Sequence, residues 1–324
     1  MNDAITDIAG IHVGHWSDRR AATGCTVLLC EKGAVAGIDV RGGAPGTRES
    51  SLMRPEALVQ QVHAVFLTGG SAYGLDVGSG IMRYLEERGV GFPYAGATVP
   101  IVCGAVLFDL NVGRADVRPT ADSGYRACLA AKGGRVAQGS VGAGTGATVA
   151  KIRTVKYGLK GGVGTAAERM GDLVVAALVA VNAFGEIVDS ATGRVVAGPR
   201  GAPGRFESTL DVIRAAGPSA VLPVTNTTIG AVATNATLTK TQATTVAHMA
   251  HDGIARAVRP AHSPVDGDCI FTLATCERTD AANVLVIGAL AAIAVERAIV
   301  RAVDAATGLA GVPSAREWLA ASPR

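Results

Sequence analysis

The sequence predicts a layered α+β domain, and three observations lead there. Strand-like runs come in adjacent pairs followed by paired helices, without the β-α-β-α alternation of a doubly wound parallel sheet. Apolar types make up 48% of the 324 residues and charged types only 18%, enough to bury a sizeable core. No internal repeat and no low-complexity tail is present, which excludes a solenoid or a disordered chain.

The elements follow in order. Residues 25–31 and 34–40 read as a hairpin turning at Lys32-Gly33, because two apolar runs separated by Gly are a hairpin signal. A Gly-rich loop (Gly42 to Gly46) comes next. Pro55 suits the first turn of a short helix, and 64–68 is a buried strand. Residues 73–88 carry helical spacing through Leu75, Ile81, Met82 and Leu85, with Gly89 as the stop. Residues 99–107 are strand-like, and Asp122 or Ser123 is placed to cap a helix running to Lys132. From Arg135 to Lys160 the chain is rich in Gly, Val and Thr, as in strands joined by tight turns.

Residues 173–184 form an apolar strand that Gly185-Glu186 turns into Ile187 and Val188. Residues 197–204 concentrate Gly and Pro and read as loop. A helix over 207–216 follows, then strands over 220–224 and 228–234 with Thr225-Asn226-Thr227 between them. Thr239-x-x-Gln242 is a capping box. It opens a helix with an apolar stripe of Val246, Met249, Ala250, Ile254 and Ala257. His248 and His251 lie about 200° and about 140° from Val246, at about 100° per residue, and so toward solvent. Residues 270–275 are another strand, 281–306 a long central helix, and Ser314-x-x-Glu317 opens a last short one.

Thirty basic against 27 acidic residues leave a net charge of +3, too weak a field to attract nucleic acid or an anionic membrane. The longest apolar run, 284–295, is well short of the about 20 residues a membrane span needs. The start, MNDAITDIAG, lacks a basic stretch leading into an apolar one, so no export signal is expected. Six cysteines without a C-x-x-C read as reduced thiols of a cytoplasmic protein.

Six features could carry chemistry. The glycine runs Gly142-Ala-Gly144-Thr-Gly146 and Gly161-Gly162-Val-Gly164 either cradle a phosphate, making this a nucleotide- or metabolite-binding protein, or simply allow tight turns. Neither satisfies the dinucleotide fingerprint. The pairs His12/His15 and His248/His251 lack a third ligand at metal-binding spacing, and no metal is expected. Asn226-Thr227-Thr228-Ile229-Gly230 is either a β-turn with Asn in its favoured place or a nucleophile segment. A Thr hydroxyl becomes reactive when its residue is a chain terminus whose own α-amine serves as base. Asp266-Gly267-Asp268 sets two acids before a strand, as a solvated turn or as a site that orients an amine. Lys151 ends GAGTGATVAK. Asn182 lies inside the apolar run LVAVNAF, where its amide must find partners and can serve either the core or an oxyanion.

Together these segments resemble a known family. DIAGIHVGHW, FLTGGSAYGLD (66–76), GAGTGATVAK (142–151), VAVNAFGEIVD (179–189), NTTIGAVATNATLTK (226–240) and SPVDGDCIFTLAT (263–275) occur in the order found in the DmpA-like N-terminal-nucleophile hydrolases. The chain is most similar to their nylon-oligomer (6-aminohexanoate oligomer) hydrolase branch. The resemblance implies a four-layer αββα sandwich made as one chain that cuts itself between Asn226 and Thr227. The products would be 1–226 and 227–324, which stay associated. It implies Thr227 as nucleophile, Asn182 at the oxyanion, Lys151 near the nucleophile, and Asp266 and Asp268 orienting the nucleophile and its amine. It implies no cofactor, a small amide or oligoamide substrate, and a homo-oligomer, a tetramer of cut units. The aminopeptidase branch carries Ser after Gly, and Ser/Glu in place of the two acids; Asn-Thr and Asp/Asp here match the nylon branch. An aminopeptidase acting on short D- or β-amino-acid peptides is the alternative.

Overall fold

A computed structural model describes residues 2–217, 226–279 and 283–321. The strand expected over 220–224 and the first residues of the helix expected from 281 lie outside them. The chain opens with β1 (His12–Asp18) and β2 (Thr23–Arg41), then β3 (Thr47–Arg48) and β4 (Gln61–Thr68). Helices α1 (Val77–Glu86) and α2 (Ala121–Leu129) enclose β5 (Phe92–Tyr94), β6 (Ala97–Val99) and β7 (Val102–Val106). The Gly-rich middle supplies β8 (Thr148–Val149) and β9 (Leu159–Lys160). After it come β10 (Gly162–Met170), β11 (Leu173–Asn182), β12 (Glu186–Asp189), β13 (Arg194–Ala197) and α3 (Thr209–Ala216). The remainder is β14 (Thr227–Thr234), α4 (Lys240–Ala257), β15 (Val258–Arg259), β16 (Asp268–Ala274), α5 (Val284–Asp304) and α6 (Ala315–Ala320).

Among the described residues, nine strands hydrogen-bond in the order β10-β11-β14-β16-β2-β4-β7-β3, with β1 added on β2. The 19-residue β2 belongs to two layers: residues 35–41 pair with β16, and residues 25–29 and 34–35 pair with β4. The register slips between Leu29 and Ala34, where Gly33 takes φ +84°. Lys32-Gly33 is therefore a bulge within one strand and not the turn of a hairpin. A bulge bends and twists a strand, and here that carries it from one sheet to the other.

Side chains alternate across each strand, and the alternation sorts the core into three apolar layers. Along β11, Val175, Ala177 and Val179 pack beneath α4 and α5 with Val246, Ile254, Val295 and Ala298. The intervening Ala176, Leu178 and Ala180 meet Leu28, Val65, Leu67 and Phe271 between the sheets. On the far side Ala64 and Phe66 of β4 pack under Ile81, Leu85 and Ala127 of α1 and α2. Three apolar layers separate four structural ones, giving an αββα sandwich. Burial on both faces explains why β11 reads as an unbroken apolar run.

Other expectations shift locally. Ser50–Met53 makes a 3₁₀ turn ahead of Pro55, and Arg54 is extended (ψ 144°), as a residue before proline prefers. The helix expected from Asp122 starts at Ala121, capped by Thr120 with Ser123 reciprocating. Between Arg135 and Lys160 the glycines serve close approach more than strand formation: a Cβ on Gly144 would stand 2.3 Å from the Val163 nitrogen. His251 is buried and not solvent-facing, because α4 packs on α5 and on β2, where its Nε2 lies 3.1 Å from the Asp39 carbonyl. No helix among the described residues is long and apolar enough to cross a membrane.

Candidate active site

The sheet register brings the predicted residues together. Thr227 heads β14, which runs between β11 and β16. Asn182, the last residue of β11, is its direct partner. Asn226 bridges to Asp266, and Asp268 is the first residue of β16. Lys151, two residues beyond β8, reaches Asn182 from the other side. All five candidates are buried at one end of the sandwich.

The Thr227 hydroxyl donates to the carbonyl oxygen of Asn226, the residue before it. The same oxygen accepts the Gly267 N–H at 3.1 Å. Gly267 is needed there: a Cβ would stand 2.6 Å from the Ala44 carbonyl and 3.1 Å from Thr227 Oγ1. Asp268 Oδ1 accepts Thr228 N–H at 2.6 Å. Asp266 Oδ2 accepts Ser263 N–H at 2.9 Å and its hydroxyl at 2.5 Å, while the Asp266 carbonyl accepts Ala44 N–H at 2.9 Å. The Gly42–Gly46 loop thus clamps the Asp-Gly-Asp turn.

Asn182 Oδ1 accepts from Lys151 Nζ at 2.6 Å, Thr148 N at 2.9 Å and Thr148 Oγ1 at 3.3 Å. Three donors on the oxygen fix which way the carboxamide points. Its Nδ2 donates to the Phe108 carbonyl at 3.0 Å. Phe108 also lines a cavity of about 210 Å3 that Thr227 and Asn226 face, with Ala44, Gly46, Ser71 and Val265 around it.

Burial dominates the charges. It lifts Asp266 to about 6, with the Asp268 charge adding to the rise and the Ser263 hydrogen bonds and Lys151 opposing it. It drives Lys151 well below an ordinary lysine, against the pull of Asp266. Two further buried titratable groups, Lys160 and Asp109, stand behind. Lys160 Nζ donates to the Thr145 and Ala147 carbonyls, each at 2.7 Å, and burial brings it down to about 7. Asp109 accepts Gly70 N–H and the Thr23 hydroxyl, each at 2.7 Å, and burial raises it.

Sequence reasoning missed Lys160, Asp109, His262 and the Gly267 N–H. A lysine in the run YGLKGGVG was a readable signal for the first; the others arise from loop geometry alone. The glycine runs prove to be packing devices: residues 142–146 and 161–164 are all buried, and a Cβ on Gly146 would stand 2.2 Å from the Ala22 carbonyl. The histidine pairs do not join the five candidates; His15 Nδ1 lies 2.9 Å from Thr26 Oγ1.

Two packed sheets between helical layers, with a hydroxyl residue heading a central strand beside a cavity, define the N-terminal-nucleophile hydrolase fold. The family model for peptidase family S58 matches residues 3–316, and the chain belongs to that family; it is an amide-bond hydrolase. An uncharacterized aminopeptidase of Mycobacterium leprae is 44% identical, covering 96% of this chain and 93% of its own. A 6-aminohexanoate-oligomer endohydrolase of Paenarthrobacter ureafaciens is 33% identical over 84% of this chain and 74% of its own. Among solved structures, a Burkholderia sp. β-aminopeptidase superposes with TM-score 0.72 at 24% identity, covering 99% of this chain and 93% of its own. An L-aminopeptidase D-Ala-esterase/amidase of Ochrobactrum anthropi, a variant of the Ntn hydrolase fold, gives 0.71 at 19% identity over 96% of this chain and 88% of its own.

Proposed function

We propose that the chain cuts itself between Asn226 and Thr227. The freed Thr227 is then the nucleophile of an amidohydrolase acting on 6-aminohexanoate oligomers or similar linear amides. The observation that carries this is the Thr227 hydroxyl on the Asn226 carbonyl, with the Gly267 N–H on the same oxygen. Attack by Oγ1 on that carbonyl carbon forms a tetrahedral oxyanion, which the Gly267 N–H stabilises. The C–N bond breaks, the nitrogen takes a proton, and water hydrolyses the resulting ester, leaving Thr227 with a free amine.

In turnover the amine is the base for its own hydroxyl. An α-amine titrates at roughly 7.7–8.0, so about a tenth of it is unprotonated at pH 7 and the fraction grows steeply just above. The hydroxyl attacks the substrate amide, the amine product leaves with the proton, and water hydrolyses the acyl-Thr ester. Asn182 donates to the oxyanion from its amide edge, Lys151 holds that amide in place, and Asp266 and Asp268 orient the head of β14.

The cavity lining supports an internal amide over a charged chain end. Among the described lining residues no side chain is charged; the proposed cut adds charge only at its own new ends, and away from them Ala72, Val106, Leu107 and Val265 offer a charged group no partner for its lost solvation. Methylene runs flanking a neutral amide suit it. The name of the Paenarthrobacter relative points the same way. The name of the Mycobacterium leprae relative favours the second reading, an aminopeptidase on short D- or β-amino-acid peptides. N-acetylated oligomers separate the two: an endo-acting enzyme cleaves them and an aminopeptidase rejects them. Intact-mass measurement tests the cut itself. Fragments of about 22.7 and about 9.9 kDa are expected by chain length, the smaller beginning at Thr227. An active, unbroken 32.6 kDa chain, or a new end at another residue, overturns the proposal.

A further inference from the structure

One side chain beside the Asp pair has no role in the reaction as described. Asp268 is a two-sided clamp. Its Oδ1 holds the N–H of Thr228, the residue after Thr227, at 2.6 Å. Its Oδ2 is held by one residue through two donors, His262 Nδ1 at 2.8 Å and His262 N at 3.2 Å. We infer that His262 is a positioning residue for this enzyme, fixing through Asp268 the head of the strand that carries the nucleophile. The inference rests on the Thr227 reading above.

Three observations carry it. His262 sits at φ +56°, in the left-handed region that costs an ordinary side chain. That backbone turn is what lets ring and main-chain N–H reach the same oxygen. The ring is also braced: it meets the His251 ring edge-to-face, centroids 4.9 Å apart at 66°. His251 is in turn buried and anchored 3.1 Å from the Asp39 carbonyl of β2. Finally, Asp268 pairs in register with Arg41, so both contacts tie back to the same stretch of β2. A carboxylate free to rotate would release Thr228 and let Thr227 drift, and a misplacement of about 1 Å costs on the order of 10²-fold in rate.

Three variants separate positioning from mere backbone accommodation. His262→Asn keeps a donor near the Nδ1 position and tolerates the left-handed conformation. His262→Gly suits the conformation but has no side-chain donor, and His262→Leu has neither advantage. Steady-state hydrolysis of a 6-aminohexanoate oligomer is measured for each, with wild type run alongside and its mass determined. Glycine and leucine variants are expected to lose kcat by at least about tenfold with KM changed less than about twofold, and asparagine to stay within about threefold of wild type. Glycine matching asparagine, or asparagine falling as far as leucine, overturns the inference. An uncut but active wild type overturns the Thr227 reading and the inference with it, whereas a wild type cut at Thr227 whose variants lose these ratios overturns the inference alone.

Discussion

Replacing Thr227 by Ala deletes the hydroxyl on the Asn226 carbonyl while leaving β14 and its pairings in place. The variant should remain one 32.6 kDa chain without amide hydrolysis, read by mass spectrometry and by product release. A variant that still splits and still hydrolyses removes Thr227 from the chemistry. Lys151→Met probes the other side of the site. It takes one of three donors from Asn182 Oδ1, so the amide edge facing the oxyanion loosens. A fall in kcat of about 10²-fold is expected. The same change replaces a buried amine, which burial holds far below its usual range, by an apolar chain of similar length that has no desolvation cost, so the melting temperature should hold or rise. Activity and stability moving together would contradict this. The five candidates stood out in the sequence as polar residues in apolar runs or Gly-flanked segments, each with a structural reading beside the chemical one, and the family resemblance is what gathered them into one site. His262 and the Gly267 N–H were not, since one depends on a left-handed turn and the other is a backbone group that any residue supplies.

Helix caps show how local signals survive folding. Thr239 accepts the Gln242 N–H and Gln242 reciprocates, as its spacing predicted. Thr239→Ala should cost about 1 kcal/mol of stability, measured by chemical denaturation. Packing between elements was much less legible. Gly80 of α1 faces α2 so closely that a Cβ would lie 1.7 Å from the Ala121 carbonyl. Gly80→Ala must push two backbones apart and should cost at least about 1–3 kcal/mol. At Gly288 of α5 the obstacle is the flexible Met249 side chain, so Gly288→Ala should cost less. Equal losses at the two sites would mean that backbone crowding does not set the cost. Neither glycine differs in sequence from a helix-weakening one, just as Lys32-Gly33 carries the same letters whether it turns a hairpin or bulges a strand. Such positions are decided by the neighbour across the gap, which lies far away in the chain.

At the scale of the molecule, the residues alone called for layered α+β, and the αββα order came from the family resemblance. Two-sided burial erased the alternation that would have shown which face met which layer. The same layering bears on the proposed cut. Strands β14 and β16 would belong to the smaller fragment, yet they lie between β11 and β2 of the larger, beneath α4 and α5. Fragments so interleaved should co-elute in native gel filtration and separate only in denaturant. Elution of a free fragment of about 9.9 kDa would show that the sheet does not hold them.

Burial of Lys160 adds a pH signature to the whole fold. Its folded value is about 7 against an ordinary 10.5. Across that window the unfolded chain holds a proton that the folded chain has released, so unfolding takes up a proton and stability rises with pH. Each unit of difference is worth about 1.4 kcal/mol, and the full cost of burying the ammonium is present below pH 7. Asp109, raised by burial, has the opposite slope, which begins where its unfolded form ionises. On going from pH 7 to 9.5 the urea midpoint should therefore rise more, or fall less, in wild type than in Lys160→Met. The comparison cancels the buried thiols, which both proteins share and whose ionisation on unfolding lowers stability at high pH. Parallel pH dependence in the two proteins would show that Lys160 stays charged in the folded state, held by the Thr145 and Ala147 carbonyls strongly enough to offset its burial.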